Sequence, residues 1–247
     1  MTRHTKLMFA FLAIVAMAST SCAKLQARDN LNKGVRAFRD AHYEKAVDFF
    51  KEAIRLDPEL TNAELYLATA YAQQFIPGAT SEENQKYADL AIATFENVLK
   101  REPNNTTAIG GLASIYQNTN QFQKAREFYL KDAGLDPTNP LPFYAVGSVD
   151  WIMVFNKNNP PPPEEQAQLI EEGLSNLDKA LALNPNYEDA MTYKNLLYRE
   201  KARLATDQAE KTQLIAQADE WFNKALETRK ANAAKAAGPG GITLGNK

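Results

Sequence analysis

The side chains able to do chemistry are few in this chain, and they are scattered. Past His4, near the start, the one histidine is His42, and the one cysteine is Cys22. A hydrolytic triad needs a histidine held between a nucleophile and an acid. His42 lies in AHYEKAV and reads as a solvated turn residue. One histidine and one cysteine do not make a structural or catalytic metal set. The acidic pairs Glu164-Glu165 and Glu171-Glu172 read as solvated helix faces. Asn104-Asn105-Thr106-Thr107 matches a glycan acceptor twice, but a loop after Pro103 explains it. Gly238-Pro239-Gly240-Gly241 is no phosphate loop, because no strand pattern precedes it and no helix follows. The expectation is a chain without catalysis, cofactor or metal.

Composition narrows the class further. Hydrophobic residues at 45% and charged residues at 23% suit a globular protein. A formal net charge of −2 lacks the basic excess of a nucleic-acid binder.

The first residues are organised differently from the rest. A basic start with Arg3 and Lys6 leads into the apolar run LMFAFLAIVAMA, then STSC. This order is that of a bacterial export signal, so residues 1–21 are expected to be removed. The run is too short to span a bilayer permanently. Ser19-Thr20-Ser21-Cys22 resembles a bacterial lipobox, in which the cysteine becomes the first residue and carries the lipid. Ser21 suits that pattern, whereas Ser19 stands where leucine is usual. The alternative is an ordinary signal cut after Ala18, leaving Cys22 a free thiol. The lipobox resemblance implies a protein of the cell envelope or periplasm, anchored to a membrane by its N-terminal lipid, the outer membrane being expected.

The remaining chain repeats itself. Stops of the form LDP, REP, LDP and LNP place prolines at 58, 103, 137 and 185. One interval is 34 residues, and the others are 45 and 48. Twelve residues before each proline stands a small residue: Ala46, Ala91, Ala125 and Gly173. Eight before stands a bulky one: Phe50, Phe95, Tyr129 and Leu177. Ala53, Val98 and Ala180 follow three residues later, with Asp132 in the third copy. Spacings of four and three put these on one helical face. Upstream lies a second helical pattern: Gly34, Ala37 and Phe38; Leu67, Ala68 and Tyr71; Leu112, Ala113 and Tyr116; then Val146 and Gly147, with Asp150 where tyrosine is expected. A degenerate fifth copy holds Ala190, Tyr198, Ala218, Phe222 and Ala225.

This signature resembles the tetratricopeptide repeat, a helix–turn–helix unit that buries its apolar face only by stacking on neighbours. The resemblance implies an all-α fold, a right-handed superhelix (α-solenoid) of four to five repeats over residues 22–234. Its repeats fall at about 27–60, 61–105, 106–139, 140–187 and 188–230, with a tail from 235 to 247. The first helices would line the concave side. The resemblance then implies a groove made by Arg28, Val35, Phe38 and Arg39; by Asn62, Leu65, Thr69 and Gln73; by Ser114, Gln117 and Asn118; and by Tyr144, Ser148 and Trp151. Phe38 and Trp151 have the alternative of packing between repeats. The expected function is a non-catalytic, membrane-tethered scaffold that binds another protein or a peptide in this groove. The alternative is a small-ligand binder enclosed by the superhelix.

Two insertions lengthen the pattern. In QQFIPGATSEENQKY (73–87), Pro77-Gly78 signals a turn, and Thr80 with Glu83 forms a capping box that starts a helix near Ser81. In NKNNPPPPEEQ (156–166), four prolines favour polyproline II, and Pro163 suits the first turn of a helix. Both insertions read as rigid connectors; the proline run has the alternative of an exposed ledge for a partner.

Overall fold

The computed structural model describes residues 22–156 and 159–237. The expected export signal lies outside them, as does the expected tail 235–247 except for residues 235–237, which continue the last helix. Among the described residues there are ten helices and no strand. They are α1 (22–39), α2 (Tyr43–Leu56), α3 (Thr61–Gln74), α4 (Glu82–Arg101), α5 (Thr106–Asn118), α6 (Phe122–Leu135), α7 (Pro140–Phe155), α8 (Pro163–Leu183), α9 (Glu188–Leu204) and α10 (Gln208–Ala237). The chain divides into two compact units, one ending at Thr119 and the other starting at Asn120. The division falls inside the third expected repeat, in the turn between α5 and α6.

The proline stops explain where α2, α4, α6 and α8 end. The residue before proline is driven out of the helical region by the ring. Asp57, Glu102, Asp136 and Asn184 accordingly stand as C-caps, with φ from −125° to −142° and ψ from 76° to 91°. Each still donates its N–H to the carbonyl four residues back: Ala53, Val98, Asp132 and Ala180. Helix starts follow from side-chain caps. Asn105 accepts from the Ala108 N–H, and Asn139 from the Leu141 N–H. At α4 the cap is Ser81, which accepts from the Asn84 N–H. The Thr80–Glu83 capping box is therefore displaced by one residue, with a serine doing the work expected of the threonine.

Packing uses the small and large residues of the repeat as complementary shapes. In the first unit, Phe50 of α2 and Phe95 of α4 are buried. A Cβ at Gly34 would stand 2.4 Å from Phe50 Cε1, and one at Gly111 would stand 2.3 Å from Phe95 Cζ. In the second unit, a Cβ at Gly147 of α7 would stand 2.5 Å from Leu177 Cγ of α8. The three glycines are there because each backbone lies against a bulky side chain. The second unit stacks α6 on α7, α7 on α8, α8 on α9 and α9 on α10, with the two first-type helices α7 and α9 also touching.

Each insertion is tied down by its own buried amide, Asn84 in the first and Gln166 in the second. Asn84 accepts from the Ile76 N–H (2.7 Å) and donates to the carbonyls of Ile76 (3.0 Å) and Ala79 (2.9 Å). Three bonds from one side chain hold the turn at Gly78, whose φ of +83° suits glycine. In the second insertion, Gln166 donates to the Pro161 carbonyl (2.6 Å) and accepts from Arg203 Nη2 of α9 (2.7 Å). Pro163 opens α8 with Glu164 and Glu165 in its first turn, where acidic charge suits the helix dipole.

Candidate interaction surface

The expected groove residues fall into both units. In the first, Arg28, Arg39, Asn62, Gln73, Ser114 and Asn118 are exposed, while Val35, Phe38, Leu65, Thr69 and Gln117 are half-buried. Phe38 meets the edge of Tyr43 at 5.3 Å, so it packs against its own helix pair. The Thr69 hydroxyl donates to the Leu65 carbonyl of its own helix. In the second unit Ser148 departs from the expectation. It is 4% exposed, and its hydroxyl donates to the Ala145 carbonyl, so it faces the packed side of α7.

Tyr144 and Trp151 are half-buried members of an aromatic face built by α7 and α9. Trp151 stacks on Phe155 at 4.9 Å and meets Tyr193 edge-on at 5.6 Å. Tyr144 contacts Tyr193 at 5.7 Å and Tyr187 at 4.8 Å. Such pairs add about 0.5–1.5 kcal/mol each beyond their buried area. Burial pushes the Tyr187 phenol up to about 12, and it raises Tyr144 and Tyr193 as well. These hydroxyls keep their protons and can donate to a partner. Sequence reasoning missed Phe155, Tyr187 and Tyr193. The spacing of Trp151 and Phe155, four apart on one helix, was a usable signal for the first.

Where α7 ends, the face opens into a hollow of about 970 Å³. Its walls come from the start of α6, the last turn of α7 and the proline run, with Phe122, Trp151 and Phe155 among them. A smaller hollow of about 610 Å³ lies beside His42 in the first unit.

Asp150, the residue standing where tyrosine was expected, is wholly buried. Its Oδ1 accepts from Arg126 Nε at 2.5 Å, and Arg126 Nη2 pairs with Glu172. One ion network thus links α6, α7 and α8. Burial pushes the Asp150 carboxyl up to about 7, Arg126 holds it down and Glu172 raises it. Among the described residues no group of three or more His, Cys, Asp or Glu side chains is placed to hold a metal. No helix among them is long and apolar enough to cross a membrane. Cys22 is exposed at the start of the described chain.

Two segments match models of the tetratricopeptide repeat. They are residues 31–60 and 85–141. Residues 161–236 match a model described as the plant-specific mitochondrial import receptor subunit TOM20. No curated protein matches by sequence. Among solved structures, MamA residues 41 to the end from Desulfovibrio magneticus RS-1 superpose with a TM-score of 0.63 at 18% identity, covering 83% of this chain and 96% of that one. A second MamA crystal structure gives 0.63 at 15% identity over 90% and 98%. A MamA RS-1 double mutant gives 0.64 at 19% identity over 85% and 97%. The chain therefore has the all-α fold of stacked tetratricopeptide-type helix pairs, and these likenesses speak to the fold alone.

Proposed function

We propose that this chain is a non-catalytic scaffold that grips a peptide segment or helix of another protein, held at a membrane in the bacterial cell envelope by a lipid on Cys22. The observation that carries the reading is the aromatic face of α7 and α9. Tyr144, Trp151 and Tyr193 present flat apolar area with few rotatable bonds, the chemistry favoured at interface anchors. The tetratricopeptide-type fold supports it, since stacked helix pairs leave one face of the first helices for recognition. The match of residues 161–236 to an import receptor subunit supports placing recognition in the second unit. Tethering rests on the order of residues 1–22. Each buried methylene of an acyl chain adds about 0.8 kcal/mol, so two or more chains hold a protein at a membrane without a spanning helix.

Photo-crosslinking from Tyr144 and Tyr193 in intact cells tests the recognition. One protein should be captured from both positions, and its captured segment should bind the purified chain at least 10-fold more weakly after Tyr193→Ala. Capture of different proteins from the two positions, or an unchanged affinity, refutes the assigned face. Separately, the N-terminal peptide of the chain isolated from membranes should begin at Cys22 and carry acyl mass. A peptide beginning at Ser19 with an unmodified thiol refutes the tether and leaves the recognition reading intact.

A further inference from the structure

Helix α1 is basic on the side that its own unit leaves uncovered. Along 22–39 stand Lys24, Arg28, Lys33, Arg36 and Arg39 against one acid, Asp29. Asp29 takes Lys33 in an ion pair at 2.7 Å, so these two charges cancel. The other four cations are exposed, and no ion pair among the described residues engages them. Each step along a helix rotates by about 100°, so Lys24, Arg28, Arg39 and Arg36 fall within an arc of about 120°. Ala27, Gly34 and Ala37 lie on the other side and are buried, Gly34 against Phe50 of α2. Packing on α2 therefore turns all four cations outward together.

Two further features of the helix point to what this face meets. Leu25 lies within the same arc and is 71% exposed, an apolar side chain one turn from Cys22. Cys22 is the first residue of the helix and the residue that carries the proposed tether. A lipid there puts the start of α1 at the headgroup level of a bilayer. At that level a leucine can enter the acyl boundary and cations can meet anionic headgroups. An acidic protein would answer the charges, but not their place on the one helix that starts at the tethered residue.

Distance decides the orientation. At 1.5 Å per residue Arg28 lies about 9 Å along the axis from Cys22, and Arg36 and Arg39 lie about 21 and 26 Å from it. The field of a charged surface is screened beyond about 8–10 Å. An upright helix would hold Lys24 and Arg28 within that range and leave Arg36 and Arg39 outside it. A helix lying along the bilayer brings all four within it.

We propose that this face of α1 is a membrane-contacting surface, in which Lys24, Arg28, Arg36 and Arg39 lie on anionic lipid headgroups and the helix runs along the bilayer. The proposal rests on the tether for its membrane, and goes beyond it in naming the lipid charge and the face that meets it. Acyl chains hold the first unit at the bilayer; the basic stripe fixes which side of that unit faces it. The aromatic face of the second unit takes no part.

Vesicle flotation tests the surface without the tether. The chain from Cys22 to Lys247, made without residues 1–21 and so without acyl chains, should float with vesicles of equal parts phosphatidylglycerol and phosphatidylcholine. It should not float with phosphatidylcholine alone, and added salt should release it. Arg28→Gln and Arg39→Gln should each weaken binding about 5-fold. Lys211→Gln removes the same charge from α10 and should change binding less than about 2-fold. All three sites are exposed, so circular dichroism should show the variants folded. Equal flotation with both vesicle types overturns the proposal, as does a loss for Lys211→Gln as large as for the α1 variants. An affinity that falls with Arg28→Gln but not with Arg39→Gln overturns the lying orientation. An unmodified Cys22 in cells would refute the tether and leave these vesicle results standing.

Discussion

Replacing Arg126 by methionine is expected to cost about 3–5 kcal/mol of stability at pH 8.5, the range for stripping the partner from a buried charge. Most of that loss should vanish at pH 5. The asymmetry comes from Asp150. Its side chain is 0% exposed, Arg126 Nε donates to its Oδ1, and its Oδ2 has no hydrogen-bond partner among the described residues. Burial already lifts the carboxyl from its usual 3.8 to about 7, against the pull of Arg126. Without the guanidinium it rises further. A native state that holds a proton more tightly than the unfolded chain loses stability as pH rises between the two pKa values. In the parent chain that decline runs from about pH 4 to 7. In the variant it continues above 7, because nothing opposes the cost of burying the anion. At pH 5 both chains hold Asp150 neutral, and the variant lacks one hydrogen bond and the pairing with Glu172. Glu172 is lowered in the folded state by Gln168 and Arg126, so its contribution has the opposite sign and is lost as pH falls below the carboxylate range. Urea unfolding at pH 5 and pH 8.5 therefore separates the two groups. Equal losses at both values would mean that Asp150 does not titrate between them. Asp150→Asn should flatten the parent's decline from pH 5 to 8.

Gly111→Ala should destabilise the first unit by about 1–3 kcal/mol, the usual cost of overpacking. The sign is informative, because glycine to alanine inside a helix ordinarily gains about 1 kcal/mol. At Gly111 the new methyl would meet three atoms of the Phe95 ring at 2.3 to 2.7 Å. Phe95 is 2% exposed, and a ring in close-packed surroundings has nowhere to retreat. Gly134 in α6 is the control. A Cβ there has no neighbour within 4 Å, so Gly134→Ala should be neutral or stabilising by up to about 1 kcal/mol. Phe95→Ala alone should cost about 3–5 kcal/mol. Combining Gly111→Ala with Phe95→Leu should cost less than the sum of the two single changes, since each relieves the other. Additive losses in denaturant titrations would show that the methyl and the ring do not compete for one space.

These two experiments touch residues that the sequence displayed unequally. Phe95 belongs to a repeating pattern, so its burial followed from comparing copies, whereas Gly111, which faces it, was not part of that pattern. Asp150 was visible only as a gap in that pattern. Its partner Arg126 lies 24 residues away, and the second partner of Arg126, Glu172, lies 46 residues from that arginine, so no local spacing joins them. The assigned groove shows the same limit. Trp151 and Tyr144 were found because their register matched the repeat, whereas Tyr187 closes the fourth repeat outside that register and Tyr193 sits in the degenerate fifth copy. Ser148 had the right register too. It is 4% exposed because a neighbouring helix covers that side of α7, and a helix pattern alone does not say which neighbour covers which side.

What the sequence determined by itself was the series of helix pairs, their stops before each proline and the small-against-large contacts between them. Those features depend on backbone sterics and on residues three and four apart, both of which are written locally. The tertiary structure alone decided which aromatic rings converge, that a buried aspartate bridges to α6 and α8 through one arginine, and that the proline run borders a hollow. These depend on helices distant in sequence being brought side by side, and burial sets a group's charge and exposure only after that packing has formed.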